Sequence, residues 1–146
     1  MRLATKASDL GHRTYLVEDN ALIRENLEGT LEELAGARVV GFSETEDDGV
    51  RWLHKHPNDW DLAIVDLFLR EGSGLGVASA CQQRQPHQKL VMLTNYATRD
   101  IRARCASLGV DAVFDKSNEI EDLMDFCVKC RLAMAAAPSL SQSGDS

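Results

Sequence analysis

Five short apolar runs, "TYLV", "RVVGF", "LAIVD", "KLVMLT" and "AVFD", are each followed by a segment whose apolar residues recur at helical spacing. Near-continuous apolar runs of strand length mark strands covered on both faces. Strands that alternate with helices run parallel, because each helix carries the chain back to the same edge of the sheet. The fold class is therefore α/β, a doubly wound parallel sheet with helices on both sides. At 146 residues the chain has room for one such domain and no second.

The helices carry their own signals. Asn20 can cap a helix over Ala21 to Leu34, with Ile23, Leu27, Leu31 and Leu34 as its apolar stripe. Ser43 and Glu46 have capping-box spacing ahead of a helix that presents Val50 and Leu53 and ends before Pro57. Further helices are expected from about Leu75 to Arg84, around Ile101, Cys105 and Leu108, and from Glu119 to Ala133. Residues 1–12 and 134–146 lack such patterning, so a flexible N-terminal segment and a disordered C-terminal tail are expected about a domain at 13–133.

Charge and cysteine usage narrow the function. A net charge of −7 and a pI near 5.0 argue against direct nucleic-acid binding, which needs a basic face. No apolar run approaches the ~18 residues of a membrane helix. The start "MRLATKASDLGHR" has no apolar signal-peptide core, and the four cysteines lack secretory spacing. A cytoplasmic setting is expected.

In doubly wound sheets ligands gather beyond the carboxyl ends of the strands. Glu18 and Asp19 follow the first strand, Asp66 ends the third, Thr94 ends the fourth and Lys116 follows the fifth. Two carboxylates ~5 Å apart repel by roughly 3 kcal/mol at an effective dielectric of 20, so adjacent acids aimed into one pocket need a cation. Three carboxylates and a strand-end backbone carbonyl are hard oxygen donors of the kind that hold Mg²⁺. Cation, ammonium and hydroxyl around one carboxylate are also the parts that neutralise a phosphoryl group in transfer. Asp66 would then be the nucleophile.

These residues fall in the ordered motifs "VEDN", "VDLFL…GSG", "MLTN" and "DKS", a set that resembles the receiver domain of two-component response regulators over about residues 13–133. The resemblance implies a flavodoxin-like (βα)5 fold with strand order 2-1-3-4-5. It implies that Asp66 accepts a phosphoryl group from a phosphohistidine on a sensor histidine kinase or phosphotransfer protein. Asp19 and Asp66 would bind Mg²⁺ directly, Phe68 through its backbone carbonyl and Glu18 through water. Thr94 and Lys116 would contact the phosphoryl oxygens, and Gly74 would shape the loop after the nucleophile. The surface of the fourth helix, fifth strand and fifth helix would report the state to an unknown downstream protein, and two copies could pair through it. Beyond its own phosphorylation and slow hydrolysis, no enzymatic activity is expected.

The chain departs from the family pattern at four positions. Ser117 stands where Pro is common, so no cis-proline device is expected. Val113 stands where an aromatic switch residue is usual, Asn95 where a small residue is typical, and Phe68 where an attacking water would approach. The resemblance is to a stand-alone receiver that acts by binding a partner; Val113 and Ser117 keep open a receiver-like scaffold that works without phosphorylation, and the Ser-rich end keeps open a receiver excised from a longer regulator with an output domain.

Other classes fit less well. A haloacid-dehalogenase-type phosphatase would need a second Asp where Phe68 stands, and a flavin module would need a Ser/Thr/Gly-rich loop where "EDNALIR" is acidic. Cys127 continues the stripe of Ile120, Leu123 and Met124, so Cys127 and Cys130 read as packing residues rather than a metal or redox pair. Arg99, Arg102 and Arg104 read as a solvated helix face, and Trp52 and Trp60 as packing residues.

Overall fold

The computed structural model describes residues 12–145. The strands are β1 (Arg13–Val17), β2 (Arg38–Ser43), β3 (Leu62–Asp66), β4 (Lys89–Thr94) and β5 (Ala112–Asp115). They form one parallel sheet in the order β2-β1-β3-β4-β5. The helices are α1 (Ala21–Ala35), α2 (Glu46–Lys55), α3 (Gly74–Ala80), α4 (Arg99–Ser107) and α5 (Ile120–Asp145). This is the expected flavodoxin-like order. Its winding reverses between β1 and β3, so the acids that follow β1 lie beside the one that ends β3.

Burial on both faces explains the unbroken apolar runs. Side chains alternate across a strand, and Tyr15, Val17, Ala63, Val65, Leu90 and Met92 pack with Leu53, Val77 and Cys105 of α2, α3 and α4. The intervening Leu16, Leu62, Ile64, Val91 and Leu93 meet Leu27 and Leu31 of α1 and Leu123 and Cys127 of α5. Cys127 is thus a core residue, as its stripe predicts. Trp60 is buried, and Trp52 stacks on Tyr15 with ring centroids 4.0 Å apart.

Four local expectations are corrected. Helix α1 buries Arg24, Leu27, Leu31 and Ala35 and leaves Ile23 and Leu34 exposed, because Arg24 is drawn inward by hydrogen bonds that periodicity does not register. Ser43 ends β2, and the cap of α2 is Thr45, whose Oγ1 accepts from the Asp48 N–H at 3.1 Å; no capping box forms, and Glu46 acts elsewhere. Helix α3 stops at Ala80 rather than Arg84, and the Arg84 guanidinium folds back to the Cys81 carbonyl. Helix α5 runs to Asp145, past the expected end of the domain at Ala133, and the strong helix formers of "AMAAA" after Leu132 account for its continuation as far as Ala137. Of the expected flexible segment at 1–12, residues 1–11 lie outside the described residues, while His12 is buried and its carbonyl accepts from the Arg38 N–H.

At the opposite end of the sheet, buried Asp61 accepts from the Arg13 backbone N–H at 2.9 Å and from its guanidinium at 3.1 Å. Removing one member of a buried, hydrogen-bonded ion pair leaves the other unsatisfied. Asp61→Ala is expected to lower stability by about 2–3 kcal/mol, seen as a lower urea midpoint at unchanged slope.

Candidate functional site

The five rim positions read from the sequence all lie at the carboxyl edge of the sheet. The Glu18 N–H donates to the Ser43 carbonyl at 3.0 Å, which extends the pairing of β1 with β2 to the first acid. Oxygens of Glu18, Asp19 and Asp66 lie within 4.8 Å of one another. Lys116 approaches from β5, its N–H donating to the Thr94 carbonyl at 3.0 Å. Its Nζ donates to Glu18 Oε1 at 3.0 Å and to Asp66 Oδ2 at 3.1 Å. One ammonium therefore bridges two of the three acids.

Three of the four remaining carboxylate oxygens have a local partner. Asp66 Oδ1 accepts from the Phe68 N–H at 3.3 Å, Glu18 Oε2 from the Asn20 N–H at 3.1 Å, and Asp19 Oδ2 from the Arg70 N–H. Thr94 is fully buried, and its Oγ1 accepts from the Tyr96 N–H at 2.9 Å. The hydroxyl thus caps its own loop. Phe68 is exposed, its ring edge-on to exposed Tyr96 with centroids 5.6 Å apart, so an aromatic pair spans the β3–α3 and β4–α4 loops.

The electrostatics follow from burial. Loss of water pushes the Asp66 carboxyl up to about 6; the Lys116 charge opposes this and the Glu18 charge adds to it. For Lys116, burial alone would lower the ammonium, but the hydrogen bond to Glu18 and the charges of Asp66 and Glu18 more than offset this and hold it above its ordinary range. The acids carry more negative charge than one lysine neutralises, and all their donors are hard oxygens. The group fits a small divalent cation such as Mg²⁺.

The loop after Asp66 is fastened from below. A Cβ on Gly74 would overlap the Asp66 carbonyl oxygen and stand 2.9 Å from the Met92 sulfur and 3.0 Å from Leu67 Cα. Only glycine permits that approach. Glu46 grips the same loop: its Oε1 accepts from the Ser73 N–H at 2.9 Å, and its own N–H donates to the Glu71 carbonyl at 3.1 Å. The sequence reading missed this role because Glu46 had the spacing of a capping box.

The departures from the family pattern can be placed as well. There is no cis peptide among the described residues. Ser117 Oγ lies 3.3 Å from Asn95 Oδ1 and ties the β5–α5 loop to the β4–α4 loop. Val113 packs against the α2–α4 side of the core, and its carbonyl accepts from Arg102 Nη1 at 2.8 Å. Arg102 Nη2 pairs with Glu119 at 3.1 Å, so this arginine joins α4 to β5 and to the residue before α5, while its side chain, like those of Arg99 and Arg104, lies exposed on the helix face.

Residues 14–127 match the response regulator receiver domain, and the chain belongs to that family. It is similar to the response regulator UvrY of Escherichia coli K12, 26% identical over 101 residues that make up 69% of this chain and 45% of UvrY. It is also similar to the transcriptional regulatory protein PdtaR of Mycobacterium tuberculosis, 30% identical over 112 residues, 77% of this chain and 53% of PdtaR. The chain thus spans about half the length of the curated relatives it matches. Among solved structures, the non-phosphorylated HemR receiver domain of Leptospira biflexa is 25% identical with a TM-score of 0.70, covering 82% of this chain and 94% of that one. The response regulator domain of Thermotoga maritima CheB shares the fold at 18% identity and a TM-score of 0.70, covering 88% of this chain and 99% of that one. No described helix is long and apolar enough to cross a membrane.

Proposed function

We propose that this receiver accepts a phosphoryl group on Asp66 from a phosphohistidine of a sensor kinase or phosphotransfer protein, in a Mg²⁺-dependent reaction, and thereby changes its binding to a downstream protein. The observation that carries this is the convergence of Glu18, Asp19, Asp66 and Lys116 at the point where the sheet reverses its winding. An ionised Asp66 oxygen attacks phosphorus, the phosphorus–nitrogen bond breaks, and the donor imidazole leaves with the electron pair. Lys116, already 3.1 Å from Asp66 Oδ2, follows the charge onto a phosphoryl oxygen. When bound by Asp19, Asp66 and the Phe68 carbonyl, with Glu18 acting through water, Mg²⁺ would supply the remaining charge neutralisation.

Thr94 supplies the switch. Its hydroxyl can donate to the phosphoryl group, and as Thr94 shifts toward that group the bond it accepts from the Tyr96 N–H is drawn out, which frees the β4–α4 loop and loosens the contact of Tyr96 with Phe68. A few charge-assisted bonds provide the several kcal/mol that move a two-state equilibrium from mostly off to mostly on. The surface of α4, β5 and α5, cross-linked by Arg102, would carry the state to the partner or to a second copy. The working unit is residues 13–133 in the cytoplasm, acting by binding its partner.

The test is intact mass after incubation with a small-molecule phosphodonor and with a phosphorylated phosphotransfer protein, with and without Mg²⁺. A metal-dependent, hydroxylamine-labile adduct is expected. A folded protein that takes no phosphoryl group from either donor would favour the scaffold reading. Hydrolysis of the adduct should be slow, because the Phe68 side chain, two residues after Asp66, stands where an attacking water would approach. Phe68→Asn is expected to shorten the phosphoryl half-life roughly tenfold, about 1.4 kcal/mol in the barrier. A half-life of seconds that this change does not alter would remove the steric account.

A further inference from the structure

Arg24 lies on the buried face of α1, only 7% exposed, at a position whose helical neighbours Leu27 and Leu31 are apolar. A buried guanidinium is costly unless its donors are used, and a hydrophobic residue would serve stability at least as well. Its ion-pair partner Glu44 has a side chain 51% exposed, at a distance of 3.1 Å, and such pairs contribute little. The guanidinium carbon stands 4.0 Å over the Phe42 ring, which fixes its plane. What an apolar residue could not supply is the short bond from Arg24 Nη1 to the Glu18 carbonyl, at 2.7 Å.

That carbonyl belongs to the peptide joining Glu18 to Asp19. The Glu18 N–H, in the preceding peptide, is held by the Ser43 carbonyl at 3.0 Å and the Glu18 C=O is held by Arg24, so the backbone is fixed on both sides of the Glu18 Cα. Those two peptides set the direction in which the Glu18 carboxylate leaves the backbone, and the second of them sets the path of the chain into Asp19. The Arg24 N–H bonds the Asn20 carbonyl at 2.9 Å, so the clamp rides on the first turn of α1.

We infer that Arg24 is a positioning residue for the cation site: it holds the Glu18–Asp19 peptide so that both carboxylates face Asp66. The inference rests on the reading of Glu18, Asp19 and Asp66 as a Mg²⁺ site. Residues that orient metal ligands typically change affinity 10–100-fold when removed.

The experiment is a calorimetric Mg²⁺ titration of the unphosphorylated full chain, with circular dichroism on each variant. Arg24→Met keeps the stem and removes the donors, and should weaken Mg²⁺ binding tenfold or more. Arg24→Lys keeps one donor within reach of the carbonyl and should fall between Arg24→Met and wild type. Glu44→Gln leaves the carbonyl bond in place and should stay within about threefold of wild type. A folded Arg24→Met that binds Mg²⁺ like wild type overturns the inference, as does a Glu44→Gln loss as large as that of Arg24→Met. If Arg24→Met does not fold, the order of Arg24→Lys below both Glu44→Gln and wild type upholds it, and any other order overturns it. If the wild type neither binds Mg²⁺ nor takes a phosphoryl group, the reading of the site falls and the inference with it. Wild-type binding left unchanged by Arg24→Met removes the inference alone.

Discussion

Asp66→Asn is expected to abolish the phosphoryl adduct and, in the absence of metal, to raise the stability of the protein. Asp66 is only 6% exposed, and burial, with the Glu18 charge added, raises its carboxyl from 3.8 to about 6 despite the opposing Lys116 charge. The folded state therefore holds this proton more tightly than the unfolded state does. Stability present below the unfolded value is lost as pH rises through about 6, and above that the ionised group costs on the order of 1–3 kcal/mol.

Asparagine removes that cost and leaves Lys116 paired with Glu18. The metal-free melting temperature at pH 7.5 should rise by a few degrees, with the difference vanishing near pH 4. Mg²⁺ should stabilise wild type far more than Asp66→Asn, because binding to the folded state alone shifts its equilibrium. The measurement is a set of thermal melts across pH 4 to 8, with and without Mg²⁺. An Asp66→Asn protein less stable than wild type at pH 7.5 without metal would contradict the assignment of Asp66 as a buried, electrostatically costly carboxylate. The same linkage has a functional side: Mg²⁺ favours the ionised form, so the phosphorylation rate should rise with pH at lower values when metal is saturating.

Gly74→Ala should be the most damaging single-methyl change at the site. The added Cβ would meet the Asp66 carbonyl oxygen, the Met92 sulfur and Leu67 Cα, two of the three being backbone atoms that cannot swing aside. The Gly74 N–H is itself committed to the Leu67 carbonyl at 2.9 Å, and α3 begins at this residue under the Ser73 cap. Relief of the overlap must displace either the end of β3 or the start of α3. A loss of about 3 kcal/mol or more is expected, together with loss of Mg²⁺-dependent phosphorylation in whatever fraction stays folded.

Gly76→Ala provides the contrast. The three atoms nearest its Cβ all belong to the Glu46 carboxylate, the far end of a flexible side chain, so the cost should be near that of the Glu46–Ser73 hydrogen bond, about 1 kcal/mol. Urea unfolding of the two variants decides the matter. Equal midpoints would mean that the close approach at Gly74 carries no special constraint.

The sheet and its acidic rim were legible in the amino-acid sequence because both depend on local repetition. Apolar runs such as "LAIVD" reveal strands buried on two faces, and in a parallel sheet every strand finishes at the same edge, so a polar residue after each run falls into one pocket wherever its neighbours lie. The partners of those residues were decided by the tertiary structure. Lys116 reaches Glu18 across 98 positions of chain, and the inward turn of Arg24 follows from a bond to a backbone carbonyl, a group every residue carries and no residue type announces. Glu46 has the spacing of a helix cap and instead binds a loop 27 residues away, because Thr45 reaches the helix N–H first. Periodicity identifies which side chains leave water; only the packed structure selects which polar atoms they meet there, since that choice is made by distances between segments the sequence keeps apart.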